Sequence, residues 1–190
     1  MRDFIDRYLD TICTALRETA HESVEAIIGI LTTAYENGNT IFIAGNGGSA
    51  GTASHLACDL SKTTLGADPR SKTRRFKVLS LSDNVPLMTA WANDEGYEHI
   101  FSEPLKNFSA EGDVLIVISA SGNSPNIVNA LKTARALKLR TFGLLGFGGG
   151  KAKELAESSL VVESRDYGCV EGVHSVLAHL ITSRLCRNQP

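Results

Sequence analysis

Residues 113–124 read DVLIVI and then SASGNS: an unbroken apolar run that stops at a small, hydroxyl-rich loop. A run without polar alternation suits a strand covered on both faces, and such strands belong to parallel sheets flanked by helices. Pro125 follows the loop and opens a helical stretch to about Leu137, so the unit is strand, loop, helix. The same unit stands upstream, with TIFIA at 40–44, GNGGS at 45–49 and a helix through about Leu60. Between the two, Phe76–Leu81 predicts a strand, Val85–Asn93 a helix and Glu98–Phe108 a further short helix, while the polar stretch 61–75 predicts a loop. Beyond them, Arg140–Leu145 predicts a strand, 146–150 a glycine loop, Ala152–Glu157 a short helix, Leu160–Glu163 a last strand and Gly168 to about Arg187 a final helix. Strands alternating with helices imply parallel pairing and right-handed crossovers. The expected fold class is α/β, a three-layer α/β/α sandwich of about five parallel strands.

Ahead of this core, residues 1–38 predict a helical pair. Phe4, Ile5, Tyr8, Leu9, Ile12 and Leu16 recur at helical spacing, as do Val24, Ile27, Ile28, Leu31, Ala34 and Tyr35. Asn37-Gly38 is a stop signal. Such stripes suit packing on the sheet and contact with another subunit equally well. No internal boundary or repeat interrupts the chain, so residues 1–190 are expected to form one domain, with helices over 1–38 and the α/β core over 39–190.

Composition narrows the function. A formal net charge of −2 leaves no polyanion footprint, which argues against nucleic acid and anionic membrane as partners. A hydrophobic fraction of 43% excludes general disorder, and the longest apolar run, Val114–Ile118, is far short of a membrane span. Cys13, Cys58, Cys169 and Cys186 form no CxxC pair, so free thiols in a reducing compartment are expected. The first residues lack the order of a signal peptide, and a cytoplasmic protein is expected.

In open α/β sheets ligands bind beyond the carboxyl ends of the strands. GNGGS offers backbone N–H groups and a helix N-terminus to an anion. Gly45, Gly47 and Ala50 loosely match a dinucleotide fingerprint, but Asp83 lies too far along to be its ribose-binding acid. SASGNS adds the hydroxyls of Ser119, Ser121 and Ser124; Ser124 also suits an N-cap ahead of Pro125. A hydroxyl-lined loop without lysine suits a sugar phosphate. Gly146–Lys151 is no P-loop, because Leu145 stands where its first glycine belongs and Ala152 where its Ser or Thr belongs.

Two helices carry acid–base candidates. His55 and Asp59 are four apart and share a helix face. Glu171 and His179, eight apart, stand about 80° around the final helix, while His174 lies about 140° from His179. Taken alone, these residues are equally read as structural: Asp59 pairing with Lys62, Glu171 favouring the first turn of its helix, and the histidines as core or surface groups. His21 and His99 are read as exposed or structural, Cys58 as a packing residue and Trp91 as core or wall.

GNGGS, the Asn93-Asp94 pair in WANDEGY, SASGNS and the spaced EGVHSVLAH resemble, in order, the motifs of the sugar isomerase (SIS) domain. Within that family the chain is similar to the phosphoheptose isomerases, which interconvert sedoheptulose 7-phosphate and D-glycero-D-manno-heptose 7-phosphate. The resemblance implies that Asn46, Gly47, Gly48, Ser49, Asn93 and Asp94 contact substrate and that Ser119, Ala120, Ser121 and Ser124 cradle its phosphate. It implies zinc held by His55, Asp59, Glu171 and His179, with Glu171 also touching substrate and Asp59 and His179 as the catalytic pair. It further implies a homotetramer with sites at subunit boundaries. Three positions depart from the family: Ala120 for a common Thr, Asp59 for Glu and Glu171 for Gln. Asp59 reaches about 1.5 Å less than Glu, and Glu171 adds a negative charge. Two other functions stay open: a non-catalytic SIS regulator of the kind that binds a replication initiator, and an isomerase of another sugar phosphate.

Overall fold

The computed structural model describes residues 1–66, 70 and 74–187. Helices α1 (Arg2–Arg17) and α2 (His21–Asn37) lead into β1 (Thr40–Gly45) and α3 (Gly48–Lys62). β2 (Lys77–Ser80), α4 (Val85–Asp94) and α5 (Ser102–Phe108) follow. Then come β3 (Val114–Ser119), α6 (Pro125–Ala136), β4 (Arg140–Leu145), α7 (Gly150–Leu155), β5 (Ser158–Val161) and α8 (Tyr167–Arg187). The five strands form one parallel sheet in the order β2-β1-β3-β4-β5.

The unbroken apolar runs arise because each face of the sheet is covered. Ile41, Ile43, Ile116 and Ile118 point to one side, against Ile27 and Leu31 of α2, Leu56 and Leu60 of α3, and Val173 and Leu177 of α8. Phe42, Ala44, Leu115 and Val117 point to the other, against Leu105 of α5 and Ile127 and Leu131 of α6. The three-layer α/β/α sandwich expected from the sequence is the architecture observed.

Several boundaries differ from expectation, among them that of α7, which spans Gly150–Leu155 rather than Ala152–Glu157. β5 spans Ser158–Val161 rather than Leu160–Glu163, because Ser158 and Ser159 pair with Phe142 and Gly143 through their backbones, which apolarity does not register. The helix expected over 98–108 is a 3₁₀ turn, Tyr97–His99, followed by α5. The expected loop 61–75 begins with the last turn of α3 and a 3₁₀ turn, Thr63–Leu65, whose Thr64 and Leu65 are buried; residues 67–69 and 71–73 of it lie outside the described residues.

The leading helices divide. α2 buries Ile27, Ile30, Leu31 and Ala34, whereas α1 buries only Ala15. Phe4, Ile5, Tyr8 and Leu9 are 41–62% exposed. Among the described residues no helix is long and apolar enough to cross a membrane.

Asp113 ties β1 to β3 from below. It is buried, and its carboxylate accepts from the Thr40 N–H at 2.7 Å and the Ala110 N–H at 2.9 Å. Asp113→Ala leaves two backbone donors unpaired, and we expect it to lower unfolding stability by about 2–3 kcal/mol in urea denaturation.

Candidate active site at the carboxyl edge of the sheet

β1 and β3 are adjacent, and Gly45 stands opposite Ile118. The loops that follow them therefore open side by side. α3 begins at Gly48, where a β-carbon would come within 2.6 Å of Glu171 Oε2. Glycine at 48 thus lets the carboxylate of α8 lie over the first turn of α3. Ser49 is buried in that turn.

In the second loop, Ser119 Oγ accepts from the Gly122 N–H at 3.1 Å and Ser121 Oγ from the Asn123 N–H at 3.3 Å. Ala120 is buried, and its carbonyl accepts from the Gly146 N–H at 3.0 Å. Ser124 occupies the N-cap position of α6, but its hydroxyl makes no capping bond. The glycine loop 146–150 buttresses this loop from behind. The Ala152 N–H donates to Gly122 O at 2.9 Å, and the Lys151 N–H to Asn123 Oδ1 at 3.1 Å. Gly122, at φ +63°, packs so close to the Gly149 carbonyl that no β-carbon fits.

α3 and α8 pack together and bring the acid–base candidates to one place. Asp59 Oδ2 lies 3.4 Å from His55 Nε2 and 3.4 Å from His179 Nδ1. The two imidazoles meet edge to face with centroids 4.8 Å apart. All three donor atoms lie within 4.8 Å of one another. Two ligands of a tetrahedral zinc, at bonds of 2.0–2.2 Å, stand about 3.3–3.6 Å apart, so the carboxylate–imidazole spacings fit a shared metal ion. The other carboxylate oxygen is occupied, since the Thr63 hydroxyl donates to Asp59 Oδ1 at 3.0 Å. Glu171 is not in this donor group. A cleft of about 270 Å³ between α3 and α8 is lined by Gly48, His55 and His179, among others, so it joins the first loop to the imidazoles.

Other candidates separate from the site. His174 is fully buried in the sheet-side core, with Nε2 3.1 Å from the Leu145 carbonyl oxygen. Its Nδ1 has no partner among the described residues. Burial pushes this imidazole down to about 4, so it is neutral and donates Nε2–H. Cys58, expected to pack, is exposed on α3. Asn93 and Asp94 end α4, exposed, with Asn93 Nδ2 donating to Asp94 Oδ1 at 2.6 Å.

Three residues escaped the sequence reading. Thr63 holds Asp59. Asn126 pairs its amide with that of Asn46, and Tyr97 donates to Asn46 Oδ1 at 3.1 Å. The only available signal was the position of Asn126 two residues beyond the second loop.

The family model of the SIS domain matches residues 4–146. The chain belongs to the SIS-domain family, and within it to the phosphoheptose isomerases, a class of sugar-phosphate isomerase. The phosphoheptose isomerase of Aliarcobacter butzleri is 40% identical over 166 residues, covering 86% of this chain and 84% of that one. The solved phosphoheptose isomerase of Francisella tularensis superposes with a TM-score of 0.89 at 23% identity, covering 98% of both chains. That of Neisseria gonorrhoeae gives 0.87 at 24% identity, covering 97% of both.

His174 has a pH signature. Its folded pKa, about 4, lies below the unfolded value of 6.5, so the unfolded chain binds the proton first as pH falls. The stability associated with neutral His174 is complete above 6.5 and lost on descent toward 4. We expect the wild type to lose about 2 kcal/mol from this residue between pH 8 and pH 5, measured as the difference in urea-unfolding stability from His174→Leu across that range.

Proposed function

We propose that the chain converts sedoheptulose 7-phosphate to D-glycero-D-manno-heptose 7-phosphate by proton transfer through an enediol. The carrying observation is that Asp59 meets His55 and His179, and that both imidazoles line one cleft that reaches Gly48 of the first loop. The SASGNS loop takes the phosphate: it offers the uncapped Ser124 hydroxyl and the α6 N-terminus. That fixes the far end of the sugar and orients the reacting end.

Asp59 and His179 divide the proton transfers. One removes the C1 proton of the ketose and returns it to C2. The other carries a proton from the O1 hydroxyl to O2, so the enediol forms and collapses with protons balanced. His55, Asp59 and His179 are the residues that would hold zinc, an arrangement of three protein ligands with an open position. When bound, the ion supplies a Lewis acid for the sugar oxygens. Glu171, over Gly48 and outside the donor group, is assigned to the sugar hydroxyls. Asn46, Gly47, Ser49, Asn93 and Asp94 complete the substrate side.

The exposed apolar residues of α1, together with an α4 that buries no side chain, support a homotetramer with shared sites. Four free cysteines fit a reducing cytoplasm.

The test is turnover. Metal-replete protein with sedoheptulose 7-phosphate in D₂O should give an aldose signal by proton NMR, with deuterium at the adjacent carbon. His179→Ala should lose at least about 10²-fold in kcat. A folded, metal-loaded wild type that yields no aldose refutes the assignment.

Thr63 sharpens the metal reading. Thr63→Val removes the bond to Asp59 Oδ1 at equal volume. We expect zinc affinity, read by chelator competition, to fall about 10-fold or more, with Thr63→Ser restoring it.

A further inference from the structure

We infer that Asn126 and Tyr97 are positioning residues that hold Asn46 as a hydrogen-bond donor, so that the first loop meets an acceptor oxygen of its ligand. This rests on the reading above that Asn46 faces substrate, and it adds a polarity to that contact.

The polarity originates in the backbone. Asn126 lies near the start of α6 and is 1% exposed. Its Oδ1 accepts from the Ile127 N–H at 3.0 Å. A backbone nitrogen can only donate, so this bond decides which end of the Asn126 amide is oxygen. The nitrogen end then faces Asn46. Asn126 Nδ2 donates to Asn46 Oδ1 at 2.8 Å, and Asn46 Nδ2 donates back to Asn126 Oδ1 at 2.9 Å. The orientation of Asn46 follows from that of Asn126.

Tyr97 closes the set. Its hydroxyl lies 3.1 Å from the same Asn46 Oδ1, and with oxygen there Tyr97 must donate. Asn46 Oδ1 now has two donors, which is its full capacity. Of the two N–H bonds of Asn46, one is spent on Asn126, and the other has no partner among the described residues. Asn46 can therefore offer a ligand a donor and nothing else. The group opposite it is an oxygen that accepts: a phosphate oxygen, a carbonyl oxygen or a hydroxyl through its lone pair.

Asn126 is too buried to touch a ligand, so it acts only through Asn46. Tyr97, 53% exposed, sits in the turn just beyond Asn93-Asp94. The network thus joins the loop after β1, the start of α6 and the 3₁₀ turn that follows Asn93-Asp94.

The experiment is a set of double-mutant cycles on the full-length, metal-replete enzyme with sedoheptulose 7-phosphate: Asn46→Ala, Asn126→Ala, Tyr97→Phe, and each of the last two combined with Asn46→Ala. We expect each single change to raise KM about 10-fold, the worth of roughly one hydrogen bond, with a smaller effect on kcat. Each double variant should be no worse than Asn46→Ala alone, because the partners act through that amide. Additive losses, or a wild-type KM in Tyr97→Phe, overturn the inference. The exposed Tyr97→Phe keeps the test alive if Asn126→Ala does not fold. Absence of wild-type turnover instead refutes the proposed reaction. The network is then judged from the melting temperatures of the ligand-free variants: non-additive shifts support it and additive shifts overturn it.

Discussion

Everything functional in this chain depends on two strands being neighbours. β1 and β3 pair in parallel, yet the chain leaves them in opposite directions: β1 connects to β2 on one side, and β3 leads to β4 and β5 on the other. Their crossovers diverge, and the space above their carboxyl ends is left open. Gly45 opposite Ile118 sets the two ends level. Only from that register can Asn46 and Asn126, 80 residues apart in sequence, exchange two hydrogen bonds. Asp113 fastens the opposite end of the same pair, so the register is held at both ends.

The remaining helices complete the site by packing on the sheet. α2, α3 and α8 share one face, and α8 contributes Val173, Leu177 and Ile181 to its core. These apolar residues are what carry His179 to Asp59 and Glu171 to Gly48. The loop 119–124 is held in turn by another loop: 146–150 fits against it so closely that Gly122 has no room for a side chain. Rigid backing of this kind holds the backbone and hydroxyl groups of small residues at fixed positions.

The sandwich was legible because buried parallel strands write themselves as apolar runs, and VLIVI admits few other readings. Helical spacing put His55 beside Asp59, and the angular separation of His174 from His179 anticipated that they would face different surroundings. What the sequence did not disclose were relations with no period. Tyr97 bonds a residue 51 positions away, and the amide pair spans 80; neither distance leaves a trace in local patterning. The start of β5 was hidden because Ser158 and Ser159 pair by backbone alone. The stripe on α1 was visible, but nothing in it could tell core from open surface, and the structure leaves its first half uncovered.

Asp59 illustrates how a short carboxylate can be held locally between two helices. An aspartate has one torsion fewer than a glutamate, so it reaches less far but loses less freedom when held. Here the carboxylate is divided between two tasks. Thr63, one turn later at the end of α3, takes Oδ1, and Oδ2 is left facing both imidazoles. A longer side chain could swing past the threonine; the shorter one is held between the hydroxyl and the histidines. Thr63 is itself anchored, because the Cys186 thiol of α8 donates to its backbone carbonyl at 3.5 Å. The two helices that supply the imidazoles therefore also hold the group that orients the carboxylate between them.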